Sequence, residues 1–102
     1  MNYIYLIKNL EESYYKIGVS NNPNLRLKQL NTGNSAELNI ISTYPTEFAY
    51  KIEGALHRKY SYLRKNGEWF DLSIKEDNEF IKNCINIENN IKLLINAGNE
   101  FI

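Results

Sequence analysis

The most constraining feature of this sequence is a pair of strand-like segments separated by a short, mostly polar stretch. Residues 3–8 and 14–19 are rich in tyrosine, isoleucine and valine, and such aromatic and β-branched residues favour β-strands. The residues between them, 9–13, have the composition of a turn. We therefore predict an antiparallel β-hairpin over residues 3–19.

A helix and a third strand are predicted to follow the hairpin. Asn22 and Pro23 indicate the start of the helix, because asparagine is a favourable N-cap and proline is well accepted at the first helical position. Gly33 marks the expected end of this helix. Residues 38–44 form the predicted third strand, which we expect Pro45 to end.

The second half of the chain predicts two more helices around a short strand. A second helix is expected from Thr46, since apolar residues recur from there at helical spacing. Asn66-Gly67 predicts a turn, residues 68–72 a short strand and residues 75–97 a C-terminal packing helix. The expected fold class is α/β, with a small, mostly antiparallel sheet of three to four strands flanked by about three helices.

Length and composition indicate one globular domain. The chain has 102 residues, of which 43 % are hydrophobic and 24 % charged, so it can bury a modest core. No stretch has the length and hydrophobicity of a membrane span. Cys84 is the single cysteine, which excludes an internal disulfide and fits a reducing compartment. We therefore expect an intracellular, cytoplasmic protein with no membrane partner.

The formal net charge is zero, but the charges are unevenly distributed along the chain. Residues 1–65 contain nine Lys/Arg and five Asp/Glu, whereas residues 66–102 contain three Lys/Arg and seven Asp/Glu. We therefore expect a polyanion to bind to residues 1–65. The acidic second part is equally typical of a solvated helix face.

An ordered set of polar residues runs through the predicted elements. It consists, in chain order, of Tyr5, Lys16-Ile17-Gly18, Arg26 and Glu53. This order resembles the GIY-YIG nuclease superfamily, and in particular a virus- and phage-associated subgroup with Lys-Ile-Gly in place of Tyr-Ile-Gly. The resemblance covers a motif region of about residues 3–72, so residues 1–102 are expected to form a single GIY-YIG-like nuclease domain.

Strand alternation tests whether the two hairpin residues of this set can meet. Successive side chains of a strand point to opposite faces, so Tyr5 and Lys16 can share one face of the hairpin. The opposite face is apolar and is formed by Ile4, Leu6, Ile17 and Val19. The pattern therefore permits a polar site without demanding one.

The resemblance implies a role in phosphodiester cleavage for three of these residues. Tyr5 would activate or orient the attacking water, and the Arg26 guanidinium would stabilise the charge of the pentacoordinate transition state. Glu53 would bind Mg²⁺ (or Mn²⁺) together with water and a phosphate oxygen. The structural alternatives are an aromatic strand residue, a solvated helix arginine and a surface glutamate.

Lys16 replaces a tyrosine of the better-known family pattern and so changes the expected chemistry. Its ammonium could lower the pKa of Tyr5, hold the phosphate or, when desolvated, act as the base. An exposed strand lysine is the alternative. Gly18 matches the family glycine, where the absence of a side chain allows close approach.

Two further residues are candidates for the same site. His57 lies one helical turn after Glu53 and could protonate the leaving 3′-oxygen or support the Glu53 side chain. A zinc site made by this pair alone would lack ligands. Glu68 is either a second acidic site residue, a replacement for Glu53, or the residue that closes the turn.

The sequence thus predicts a metal-dependent DNA endonuclease that leaves a 5′-phosphate and a 3′-hydroxyl, as the resemblance implies. One alternative is a nucleic-acid binding module that has lost catalysis on the same fold; another is an intracellular protein-interaction domain that uses the acidic C-terminal helix. DNA is the expected partner, although RNA stays open. The oligomeric state, a homodimer included, is also open.

Overall fold

A single antiparallel sheet forms the frame of the molecule in the computed structural model, which describes residues 1–33 and 36–98. Its strands are β1 (Asn2–Asn9), β2 (Tyr15–Ser20), β3 (Leu38–Thr46), β4 (Arg64–Asn66) and β5 (Trp69–Phe70). Their spatial order is β3-β1-β2-β5-β4. Strands β1 and β2 therefore lie inside the sheet, with the longest strand, β3, beside β1 and the two shortest strands on the β2 side.

Within residues 1–33 and 36–98, three helices cover the two faces of this sheet. They are α1 (Pro23–Thr32), α2 (Ala49–Lys59) and α3 (Ile74–Asn96), with a 3₁₀ turn at Ser61–Leu63. Helices α2 and α3 bury the larger core, in which Ile52 and Phe80 meet strand residues such as Ile17. Helix α1 covers the other face, where Leu27 and Leu30 pack on a smaller core. The predicted α/β fold class is confirmed.

The hairpin has the predicted pairing and the predicted faces. Strands β1 and β2 are antiparallel, with Leu6 opposite Ile17 and Tyr5 opposite Gly18. Leu6 and Ile17 lie in the core under α2 and α3, whereas Tyr5 lies in the core under α1. Asn9 closes the turn, because its side-chain oxygen accepts hydrogen bonds from the next backbone N–H groups.

Helix α1 begins and ends as its sequence predicts. The Asn22 side-chain oxygen accepts a hydrogen bond from the backbone N–H of Leu25 at 3.1 Å, and Pro23 is the first helical residue. Gly33 is the C-cap. These local signals fix the position of Arg26 in the first turn of the helix.

Three details of the predicted secondary structure are wrong. Pro45 does not end β3, which continues to Thr46. Among the described residues β3 borders only β1, and an edge strand tolerates a residue that lacks an N–H donor. Thr46 does not begin α2 either, because its hydroxyl accepts a hydrogen bond from the Phe48 N–H and the helix starts at Ala49.

The third difference concerns the number of strands. In the part of the chain that the structure describes, the sheet has five strands rather than three to four, because Arg64–Asn66 pairs with Trp69–Phe70 around the turn at Gly67. Gly67 has φ of 51°, a conformation that glycine adopts readily.

The C-terminal helix lies close to its predicted range. Within the described ranges, no helix combines the length and hydrophobicity needed to cross a membrane.

Candidate active site at the open edge of strand β2

Strand β5 pairs with only part of the outer edge of β2, and the polar residues of the predicted site lie where this pairing ends. Strand β5 pairs with Tyr15 and Lys16 and goes no further along β2. The next residue, Ile17, donates its N–H to the backbone carbonyl of Glu68 at 3.1 Å. Its own carbonyl oxygen lies 3.0 Å from Nε2 of His57. Side chains from both faces of the sheet can therefore meet around this edge.

Tyr5 and Gly18 are matched across the hairpin. The Tyr5 phenol lies directly over Gly18, so that a Cβ atom at position 18 would be 2.5 Å from Cζ of Tyr5. Tyr5 is only 2 % exposed, so that any movement of its ring would disturb the packing around it. Glycine is thus required at position 18 to bring the phenol to the edge of β2.

The Tyr5 hydroxyl keeps its proton at neutral pH. Burial is the largest influence and raises the pKa of Tyr5 above its ordinary value of 10.0, and the charges of Glu68 and Glu53 act in the same direction. The Arg26 guanidinium, from the first turn of α1, opposes this shift. Arg26 and the two carboxylates are thus near enough to act on the phenol, which keeps its proton and is not a ready base.

Lys16 is a buried cation beside this group. Its side chain lies on the same face of the hairpin as Tyr5 and is placed between an acid and an aromatic ring. Its Nζ is 3.6 Å from Oε1 of Glu68 and 5.7 Å from the ring centroid of Trp69. The residue as a whole is 8 % exposed, so the exposed strand lysine considered above is excluded.

Two carboxylates and an imidazole converge on the other side of the edge. One potential ligand atom from each of Glu53, His57 and Glu68 lies within 4.8 Å of the other two, and all three residues are half-buried. Glu53 and His57 are one turn apart on α2, while Glu68 follows the turn before β5. Glu53 points into the cluster, so Glu68 accompanies it and does not replace it.

The surroundings of Glu53 disfavour the charged form of its carboxyl group. Desolvation is the first cause that raises the pKa of Glu53, from 4.5 to about 7, and the charge and hydrogen bond of Glu68 add to it. The Lys16 ammonium partly opposes the shift. Near neutral pH the Glu53 carboxyl is therefore partly protonated, and a cation bound between the two carboxyl groups would favour its charged form.

His57 is held in one orientation. A carbonyl oxygen can only accept, so Nε2–H of His57 donates to the Ile17 carbonyl. The ring also packs on Phe70, with centroids 5.1 Å apart. Nδ1 is then the nitrogen that remains for a proton or a metal ion.

The structure thus brings all five residues of the predicted site, Tyr5, Lys16, Arg26, Glu53 and His57, to one edge of the sheet. Glu68 is the residue whose importance the sequence understated. The signal for it was its place directly after the predicted Asn66-Gly67 turn. The donor set suits a divalent cation, because carboxylate oxygens bind Mg²⁺ and Mn²⁺ and an imidazole is added to them.

Fold and site together define a small antiparallel α/β domain with phenol, cationic and carboxylate groups around one open strand edge. The chain belongs to the T5orf172 domain family, whose model matches residues 2–92. This family is phage-associated and nuclease-related, with a GIY-YIG-like domain. No curated protein and no solved structure matches the chain.

Proposed function

We propose that this protein is a metal-dependent DNA endonuclease of the GIY-YIG type. The observation that carries the proposal is the convergence of Arg26, Lys16, Tyr5 and two carboxylates on one strand edge. The nuclease-related family supports it. Phosphodiester hydrolysis requires cations for the phosphate, a group that orients the attacking water and a carboxylate that can hold a metal ion, and this edge has a side chain suited to each task.

The phosphate would be held by the two basic side chains. Arg26 occupies an exposed position on α1 and can donate two hydrogen bonds to phosphate oxygens. These hydrogen bonds become stronger as negative charge builds up on the phosphate in the transition state. Lys16 is buried and contributes a fixed positive charge from the strand. The two cations approach the phosphate from different elements and so restrict its position.

Tyr5 would orient the attacking water. Because its pKa is raised and its hydroxyl is protonated, we assign it hydrogen bonding and positioning rather than proton abstraction in the metal-free protein. Gly18 makes this placement possible, since any larger residue would displace the phenol.

Glu53 would hold the metal ion, with Glu68 beside it. A divalent cation bound there would lower the pKa of a coordinated water and neutralise charge on the phosphate. His57 has its Nε2–H engaged by the Ile17 carbonyl. Only Nδ1 is left for the leaving-group role that the sequence allowed, and the convergence of His57 with Glu53 and Glu68 favours support of the metal site instead.

The proposal is tested by incubating the folded protein with supercoiled plasmid and with a branched oligonucleotide, in Mg²⁺, Mn²⁺ or EDTA. We expect nicking that needs a metal ion and is lost in Glu53→Gln. The matched control is Glu47→Gln, which changes an exposed glutamate just before α2 and should cleave like the wild type.

Binding without cleavage would overturn the proposal. Salt-dependent DNA binding with no product in any metal would identify a binding module on the same fold. Neither binding nor cleavage, together with association with another protein, would identify an interaction domain.

A further inference from the structure

The ligand atoms around Glu53 come from two separate parts of the chain. Glu53 and His57 are presented by α2, and Glu68 by the turn that leads into β5. Their potential ligand atoms lie within 4.8 Å of one another. A divalent ion binds its protein ligands at about 2.0–2.3 Å, so atoms on opposite sides of one ion are about 4 Å apart. The observed spacing is therefore suitable for one ion with little movement of the side chains.

The backbone fixes two of these three residues in place. The Glu68 carbonyl accepts a hydrogen bond from the Ile17 N–H, and His57 donates to the Ile17 carbonyl. Both residues are thus attached to the same residue of β2. Metal-binding histidines commonly donate their other ring N–H to a carbonyl, which orients the ring and selects the nitrogen that binds.

We propose that Glu53, His57 and Glu68 form one three-ligand site that binds a divalent transition-metal ion, such as Mn²⁺ or Co²⁺, in preference to Mg²⁺. The site is the one described above, so this inference deepens the proposed function by naming the class of its metal ion. It changes the ligand set that the family resemblance implied, which consists of Glu53 alone.

The imidazole is the reason for the preference. Mg²⁺ favours oxygen ligands and retains much of its hydration shell, so a nitrogen ligand adds little to its binding. Transition-metal ions bind imidazole more strongly than Mg²⁺ does, and their affinity increases from Mn²⁺ through Fe²⁺ to Co²⁺. A site of two carboxylates and one imidazole therefore discriminates between the two classes of ion, whereas carboxylates alone would do so weakly.

The ion would share Glu68 with Lys16. The Lys16 Nζ to Glu68 Oε1 distance of 3.6 Å is longer than a hydrogen bond, so the carboxylate can turn towards an ion at modest cost. The partial release of Lys16 would leave its ammonium freer to contact an anionic substrate. Metal binding and substrate binding would then support each other through Glu68.

The test measures metal binding without nucleic acid. Purified protein is titrated with Co²⁺, Mn²⁺ and Mg²⁺ by calorimetry, and the Co²⁺ complex is examined by visible absorption, which reports nitrogen coordination. We expect Co²⁺ to bind at least about tenfold more tightly than Mg²⁺. His57→Gln should lower Co²⁺ affinity about tenfold or more and change Mg²⁺ affinity less than about threefold.

Glu68→Gln is the second variant, because His57 also packs on Phe70 and its replacement can disturb the fold. It should weaken the binding of all three ions, while Glu47→Gln should change none of them. Equal affinities of the wild type for Co²⁺ and Mg²⁺, or Co²⁺ binding unchanged in both His57→Gln and Glu68→Gln, would overturn the inference.

These results are independent of cleavage. Selective Co²⁺ binding by a protein that cuts no DNA would support the metal site and refute the nuclease. Cleavage in Mg²⁺ by a protein that binds Co²⁺ no better would do the reverse.

Discussion

Replacing Glu53 by glutamine should stabilise the metal-free protein at pH 8. The pKa of Glu53 is raised from 4.5 to about 7 in the folded state. Between pH 4.5 and about pH 7 the folded protein therefore binds more protons than the unfolded chain does. The free energy of unfolding therefore falls as the pH rises through this range, and the whole decrease in stability is present above about pH 7. Glutamine keeps the size of the side chain and never ionises.

The magnitude follows from the pKa. One pKa unit corresponds to about 1.4 kcal/mol, so a rise from 4.5 to about 7 corresponds to about 3 kcal/mol. The side chain is only half-buried, and solvent screening reduces this to about 1–2 kcal/mol. We expect the free energy of unfolding of Glu53→Gln to exceed that of the wild type by about this amount at pH 8. The difference should be clearly smaller at pH 5, where Glu53 of the folded wild type is protonated.

Urea unfolding in EDTA at pH 5 and pH 8 measures this difference, with Glu47→Gln as the exposed control. Saturating Mn²⁺ should reverse the order at pH 8, since an ion at 100 times its Kd adds about 2.7 kcal/mol to the wild type only. A Glu53→Gln variant that is equally affected at both pH values, or destabilised at pH 8, would refute the raised pKa of Glu53 that burial and the neighbouring Glu68 produce.

Three further changes probe the hairpin, the first helix and the metal site. Gly18→Ala should cost about 1–3 kcal/mol in urea unfolding, because the new Cβ collides with the buried Tyr5 ring; an unchanged midpoint would show that the ring can move. Asn22→Ala removes the N-cap of α1 and should cost about 1 kcal/mol, with Asn24→Ala as the matched exposed control. Lys16→Met removes the cation that shares Glu68 and should strengthen Mn²⁺ binding in calorimetry, so weaker binding would contradict the proposed sharing.

The hairpin and the first helix could be predicted because their signals are local. Strand alternation alone placed Tyr5 and Lys16 on one face, and Asn22 and Pro23 alone determined where α1 begins. Pro45 was misjudged because its effect depends on which strands lie beside β3, and that is a property of the whole sheet. Strand β4 was missed because its residues are exposed and only pairing with β5 defines it.

The same division between local and distant signals holds for the site. Helical spacing brought Glu53 and His57 together in the prediction, since they are one turn apart. The contact between Glu53 and Glu68 joins two elements that are distant in sequence, so no local pattern reports it. The raised pKa of Tyr5 arises first from burial under α1, which a motif does not describe.

The most direct test of the nuclease is single-turnover DNA cleavage by Arg26→Ala, with DNA affinity measured separately in EDTA. The control is Lys28→Ala, an exposed cation on the same helix. We predict that Arg26→Ala lowers the cleavage rate by about 10²–10³-fold while DNA affinity changes far less, because the guanidinium acts mainly on the transition state. Equal cleavage by Arg26→Ala and Lys28→Ala would contradict the assignment of the active site to this edge of the sheet.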